Sequence, residues 1–97
     1  MEKAVAIARL KENEEAIRAL GATSLYLFGS TARDEARPDS DVDVFIEYDP
    51  SRFTLFELAG IKNLIEEELG IEVDVTTRDS LHPLLKRRIE QSAIQVF

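Results

Sequence analysis

The chain has 97 residues, 44% of them hydrophobic and 32% charged, with a formal net charge of −7. That length suits one domain with a modest core, burying about 65% of the surface its unfolded chain exposes. The lack of cysteine excludes disulfides and thiolate metal sites, and so acidic a surface opposes direct binding of nucleic acid.

Charge does not forbid a small phosphorylated ligand, because a divalent cation inverts the local sign. The first twenty residues carry charges throughout, unlike a secretory leader. No apolar run reaches the roughly 18 residues of a membrane span. A cytoplasmic protein with no membrane contact is expected.

Residues 2–20 read as a helix, with Ile7, Leu10, Ile17 and Leu20 near one face and Asn13 and Glu14 interrupting the stripe. Gly21 supplies its end. The run Thr23 to Phe28 is short, apolar and aromatic, as a buried strand reads. Gly29-Ser30 breaks it, Ser30 opens a short helix, and Arg37-Pro38-Asp39-Ser40 is a turn. In "DVDVFIEY" the alternation puts Asp41, Asp43, Phe45 and Glu47 on one face and Val42, Val44, Ile46 and Tyr48 on the other.

Residues 54–69 form the clearest helix, with Thr54 and Glu57 as a capping box and Gly70 as its stop. Ile71 to Thr77 is a further alternating strand, with Glu72, Asp74 and Thr76 opposite Val73 and Val75. Ser80 is expected to cap a last helix through about Ser92, with Pro83 in its first turn. "IQVF" closes the chain as a short strand. This order predicts an α/β (α+β) fold, a small mixed sheet with helices packed on one face.

Asp41 and Asp43, two apart on a strand, leave the same face about 7 Å apart along the chain. Such carboxylates repel, and burial raises the pKa of at least one. Alone, an Asp-x-Asp reads more readily as a solvated strand face than as a metal site. Asp74 shifts that balance: if its strand lies beside the first, three acids converge, and converging acids favour a bound cation. Gly29-Ser30 offers close backbone approach and a hydroxyl to a phosphate, or else only a turn with a cap. Glu47, Glu72 and Arg37 read as solvated, His82 as structural or exposed, and Lys86 to Arg88 as a solvated helix face.

"GSTARDEARPDSDVD", Gly-Ser followed by ten residues and Asp-x-Asp, resembles the signature of the DNA-polymerase-β-type nucleotidyltransferase superfamily. The spacing is similar to that of the minimal nucleotidyltransferases (MNT), often found beside a HEPN-domain toxin, and "EVDVTT" matches the family's third carboxylate. The resemblance implies one nucleotidyltransferase domain over residues 1–97. It implies that Asp41, Asp43 and Asp74 are catalytic and hold Mg²⁺ in a two-metal site. It also implies that Gly29 and Ser30 contact the phosphates of ATP. Arg33 is weighed equally as a phosphate ligand and as a surface ion pair with Asp34 or Glu35.

The function implied is transfer of AMP from ATP to a hydroxyl of a partner protein, a tyrosine of a HEPN-family toxin, so that the chain acts as an antitoxin. Two other readings stand beside it: a non-catalytic antitoxin that masks its partner, and an aminoglycoside-type small-molecule nucleotidyltransferase. Exposed apolar residues on the helices would serve a homo- or hetero-oligomeric interface.

Overall fold

The computed structural model describes residues 1–97. Its elements run α1 (Lys3–Glu12), α2 (Glu14–Ala19), β1 (Ala22–Phe28), α3 (Gly29–Ala32), β2 (Val42–Tyr48), α4 (Leu55–Leu69), β3 (Val73–Thr77), a 3-10 turn (Arg78–Ser80), α5 (Lys86–Ser92) and β4 (Ile94–Gln95). The four strands form one mixed sheet in the order β3-β2-β1-β4. β1 pairs antiparallel with both β2 and β4, whereas β2 and β3 run parallel. A parallel pair needs a crossover, and α4 supplies it.

One face of the sheet makes the core. Leu25 and Leu27 of β1, Val42, Val44 and Ile46 of β2, and Val73 of β3 are buried there. They join Ala6 and Leu10 of α1, Ile17 of α2, and Ile61, Ile65 and Leu69 of α4 in one apolar cluster. The other face carries Tyr26, Asp43, Phe45, Glu47 and Asp74, as the strand alternation requires. Phe45 is fully buried on that second face. Its ring stacks on Tyr26 at 4.7 Å, and the Arg78 guanidinium lies 5.6 Å from the ring centre. Arg78 in turn bonds Glu90 of α5 at 2.6 Å and approaches Glu47 at 3.5 Å, tying α5 to this face.

Strands β2, β3 and β4 are shorter than expected, starting at Val42 and Val73 and ending at Gln95, and three helix boundaries differ as well. The first helix breaks at Asn13, whose backbone leaves the helical region at φ −103° and ψ 13°. Its side-chain amide donates to the Arg9 carbonyl at 2.8 Å, the local competition that disfavours Asn inside helices. Ser30 does not open α3: Gly29 is already its first residue, and Phe28 is the cap. The last helix begins at Lys86, not after Ser80. Ser80 spends its hydroxyl on Thr77 at 2.7 Å, and the Leu84 N–H is met by the His82 ring at 3.2 Å.

Elsewhere the helix ends follow the expected chemistry. Thr54 accepts from the Phe56 N–H at 3.1 Å and donates to the Glu57 carboxylate. Gly70 ends α4 in the left-handed region at φ +70°. No helix is long and apolar enough to cross a membrane.

Candidate active site

β1 ends at Phe28, which lies opposite Asp43 in the antiparallel register. On its other side Asp43 lies opposite Asp74 in the parallel register. Adjacent strands are about 4.8 Å apart and paired residues share a face, so the two carboxylates stand side by side. Asp41 precedes the first residue of β2 and is exposed. The carboxyl of Asp43 is raised above the ordinary aspartate range by burial first, then by the charges of Asp74 and Asp41, while Arg33 opposes the shift. All three acids and Arg33 therefore act on one point.

The glycine at the bend is fixed by that same carboxylate. Gly29 has φ +75°, and a Cβ there would stand 2.4 Å from Asp43 Oδ2. Only a residue without a side chain lets the turn close over the acid. Ser30 follows, half-buried, and Arg33 caps the far end of α3, exposed, with its Nε 3.3 Å from Glu35 Oε2. Such an exposed pair is weak, so it leaves Arg33 free to exchange Glu35 for a better anion.

No group of three or more His, Cys, Asp or Glu side chains is gathered tightly enough to close around a metal ion by itself. The donor set still fits Mg²⁺. That ion prefers hard oxygens and keeps several waters, binding through one or two carboxylates plus substrate phosphates rather than in an all-protein cage. An acid left partly buried beside two like charges is the electrostatic counterpart of that preference.

Sequence reasoning missed one wall. An open cleft of about 560 Å³ also borders Gly29, lined by Phe28, Gly29, Arg33, Arg88, Ile89 and Ser92 and by none of the three aspartates. α5 reaches it because β4 returns along β1 with Ile94 opposite Leu27, which brings Ser92 at the end of α5 to the same cleft as Gly29. The "KRR" run was the available signal, but a two-residue strand decides where it lands. A separate cleft of about 350 Å³ at the opposite ends of β2 and β3 is lined by Tyr48, Phe53, Thr77 and Asp79 and contains none of the three aspartates.

A parallel strand pair thus presents aspartates beside a Gly-Ser bend, and the sequence matches the nucleotidyltransferase domain over residues 9–96. The chain belongs to that family. Among its relatives is MJ0435 of Methanocaldococcus jannaschii, provisionally named a protein adenylyltransferase, 43% identical over 79% of this chain and 82% of its own. Protein adenylyltransferase MntA of Thermococcus cleftensis is 31% identical over 78% of this chain and 76% of its own.

Among solved structures, a provisionally assigned minimal nucleotidyltransferase superposes with a TM-score of 0.84 at 34% identity, covering 97% of this chain and 95% of that one. The fold also matches a structure of the tri-AMPylated Shewanella oneidensis HEPN toxin in complex with its MNT antitoxin. There the TM-score is 0.59 at 19% identity, covering 88% of this chain and 69% of the other.

Proposed function

We propose that this chain, as one domain over residues 1–97, is a metal-dependent protein adenylyltransferase. It transfers AMP from ATP to a tyrosine hydroxyl of a HEPN-family toxin in the cytoplasm and so serves as an antitoxin. The observation that carries the reading is the pairing of Asp43 with Asp74 beside the Gly29 bend. Relatives named as protein adenylyltransferases, and an AMP-modified toxin bound to an MNT antitoxin of the same fold, support the acceptor class.

Asp41, Asp43 and Asp74 would hold Mg²⁺, which when bound neutralises phosphate charge and polarises the α-phosphorus. Gly29 and Ser30 would donate to the β- and γ-phosphates, and Arg33 would exchange its weak partner Glu35 for a phosphate oxygen. The acceptor oxygen attacks the α-phosphorus, the bond to the bridging oxygen breaks, and pyrophosphate leaves. Asp74, exposed at the outer strand, would receive the hydroxyl proton. Catalysis then rests on positioning and charge, with no covalent enzyme intermediate.

The test is transfer of label from α-labelled ATP, with Mg²⁺, to a co-expressed toxin, comparing wild type with the Asp41→Ala, Asp43→Ala double variant. Label on the toxin with wild type alone is expected, with toxin activity lost in step. Full inhibition by the unlabelling double variant would replace this reading with a masking antitoxin.

A further inference from the structure

We infer that Arg88 of α5 is a nucleotide-binding residue that grips the pyrophosphate end of the triphosphate opposite Arg33. The inference rests on the reading of the chain as an ATP-dependent transferase and adds a residue to it. Two arginines line one cleft immediately beyond Gly29. Arg33 has only its exposed Glu35 contact, and Arg88 takes part in none of the chain's ion pairs.

On a protein with 19 acidic residues and a net charge of −7, an arginine without a carboxylate partner that shares a cleft with a second arginine is a local inversion of sign. Such a cleft draws in anions.

The direction of the polyanion follows from what borders Gly29. Asp43 lies against the glycine, and the acids are where a cation-bound α-phosphate would belong. Arg33 and Arg88 line the cleft that borders the same glycine, and none of the three aspartates lines it. A triphosphate laid across the glycine backbone meets opposite charge at each end. Its leaving group gains negative charge as the bond to the α-phosphate breaks, and guanidiniums held in place stabilise that charge. α5 is held for this task by the 2.6 Å Arg78–Glu90 bond, with the Arg78 guanidinium 5.2 Å from the Tyr26 ring. Phe28 and Ile89 give the cleft apolar walls.

The experiment measures equilibrium binding of ATP, AMP and inorganic pyrophosphate, each with Mg²⁺, to the full chain and to Arg88→Gln, Arg88→Lys and Arg87→Gln. Arg87, exposed and outside the cleft, is the control. Arg88→Gln is expected to weaken ATP and pyrophosphate about tenfold or more, as loss of a charged hydrogen bond does, and to leave AMP within about twofold. Arg88→Lys should recover part of the loss, and thermal unfolding should match wild type.

Equal affinities of Arg88→Gln and Arg87→Gln for ATP would overturn the role of Arg88 while leaving the transferase reading intact. Equal losses for AMP and ATP would overturn the assignment to the pyrophosphate end. Failure of the wild-type chain to bind ATP would overturn both readings.

Discussion

Replacing Asp43 by Asn should make the cation-free protein more stable at neutral pH. The Asp43 carboxyl is raised by burial, then by Asp74, then by Asp41, and only the charge of Arg33 acts against these causes. Two unit charges about 5 Å apart repel by about 0.8 kcal/mol in water and by about 3 kcal/mol at an effective dielectric of 20. Asp74 is exposed, so the lower end applies, and removing one charge should return about 1 kcal/mol. For a domain of this size that is a rise in Tm of about 4–8 °C.

The sign with pH follows from the raised pKa. The folded state keeps the Asp43 proton to higher pH than the unfolded state, so the penalty is absent below the unfolded carboxylate range. It grows as pH rises and is complete once pH passes the folded value. Melting curves of wild type and Asp43→Asn in chelator should therefore separate at pH 7 and converge near about pH 3, below the free carboxylate pKa. Millimolar Mg²⁺ should raise the wild-type Tm and leave the variant unmoved. A lower Tm for the variant at pH 7, or a gap that persists in acid, would refute the electrostatic argument.

The bend and the crossover helix give two further tests. Gly29→Ala forces a side chain into the left-handed region, costing about 1–2 kcal/mol, and drives its Cβ against Asp43 Oδ2. ATP binding and transfer should be lost with a modest fall in Tm, and in an Asp43→Ala background the stability cost should shrink to the backbone part. An additive double-mutant cycle would show that the contact carries no energy. Thr54→Ala removes the acceptor for the Phe56 N–H and should cost about 1 kcal/mol, read as a lower Tm. Transfer kinetics should stay unchanged, because Thr54 lines the cleft at the opposite ends of β2 and β3.

The acids and the glycine were legible because each obeys a local rule. A period of two puts Asp43 and Asp74 on one face of their strands, and a glycine after an apolar run marks a bend. Strand adjacency was not local: that Asp43 lies opposite Asp74 depends on α4 crossing between parallel neighbours. Arg88 was illegible for the same reason, since its position follows from the pairing of Ile94 and Gln95 with β1. The misplaced start of α5 has a different cause. Ser80 and Pro83 are a good cap and a good first-turn residue, but the Thr77 hydroxyl claimed Ser80.

The fold and the acid pair are a single decision about register. Val42 lies opposite Val73 and Val44 opposite Val75 on the core face, and the intervening pleat leaves Asp43 no partner in β3 but Asp74. A slip of one residue would separate the acids, but it would also turn the β3 valines out of the core. The apolar face thus holds the repelling face in place, burying Val42, Val44 and Val73 completely or nearly so. Each such side chain contributes about 1.5–3 kcal/mol on burial, well above the roughly 1 kcal/mol of repulsion between exposed or half-exposed carboxylates. A site that repels itself can therefore be kept assembled without its ligand, ready for the cation and the triphosphate that relieve it.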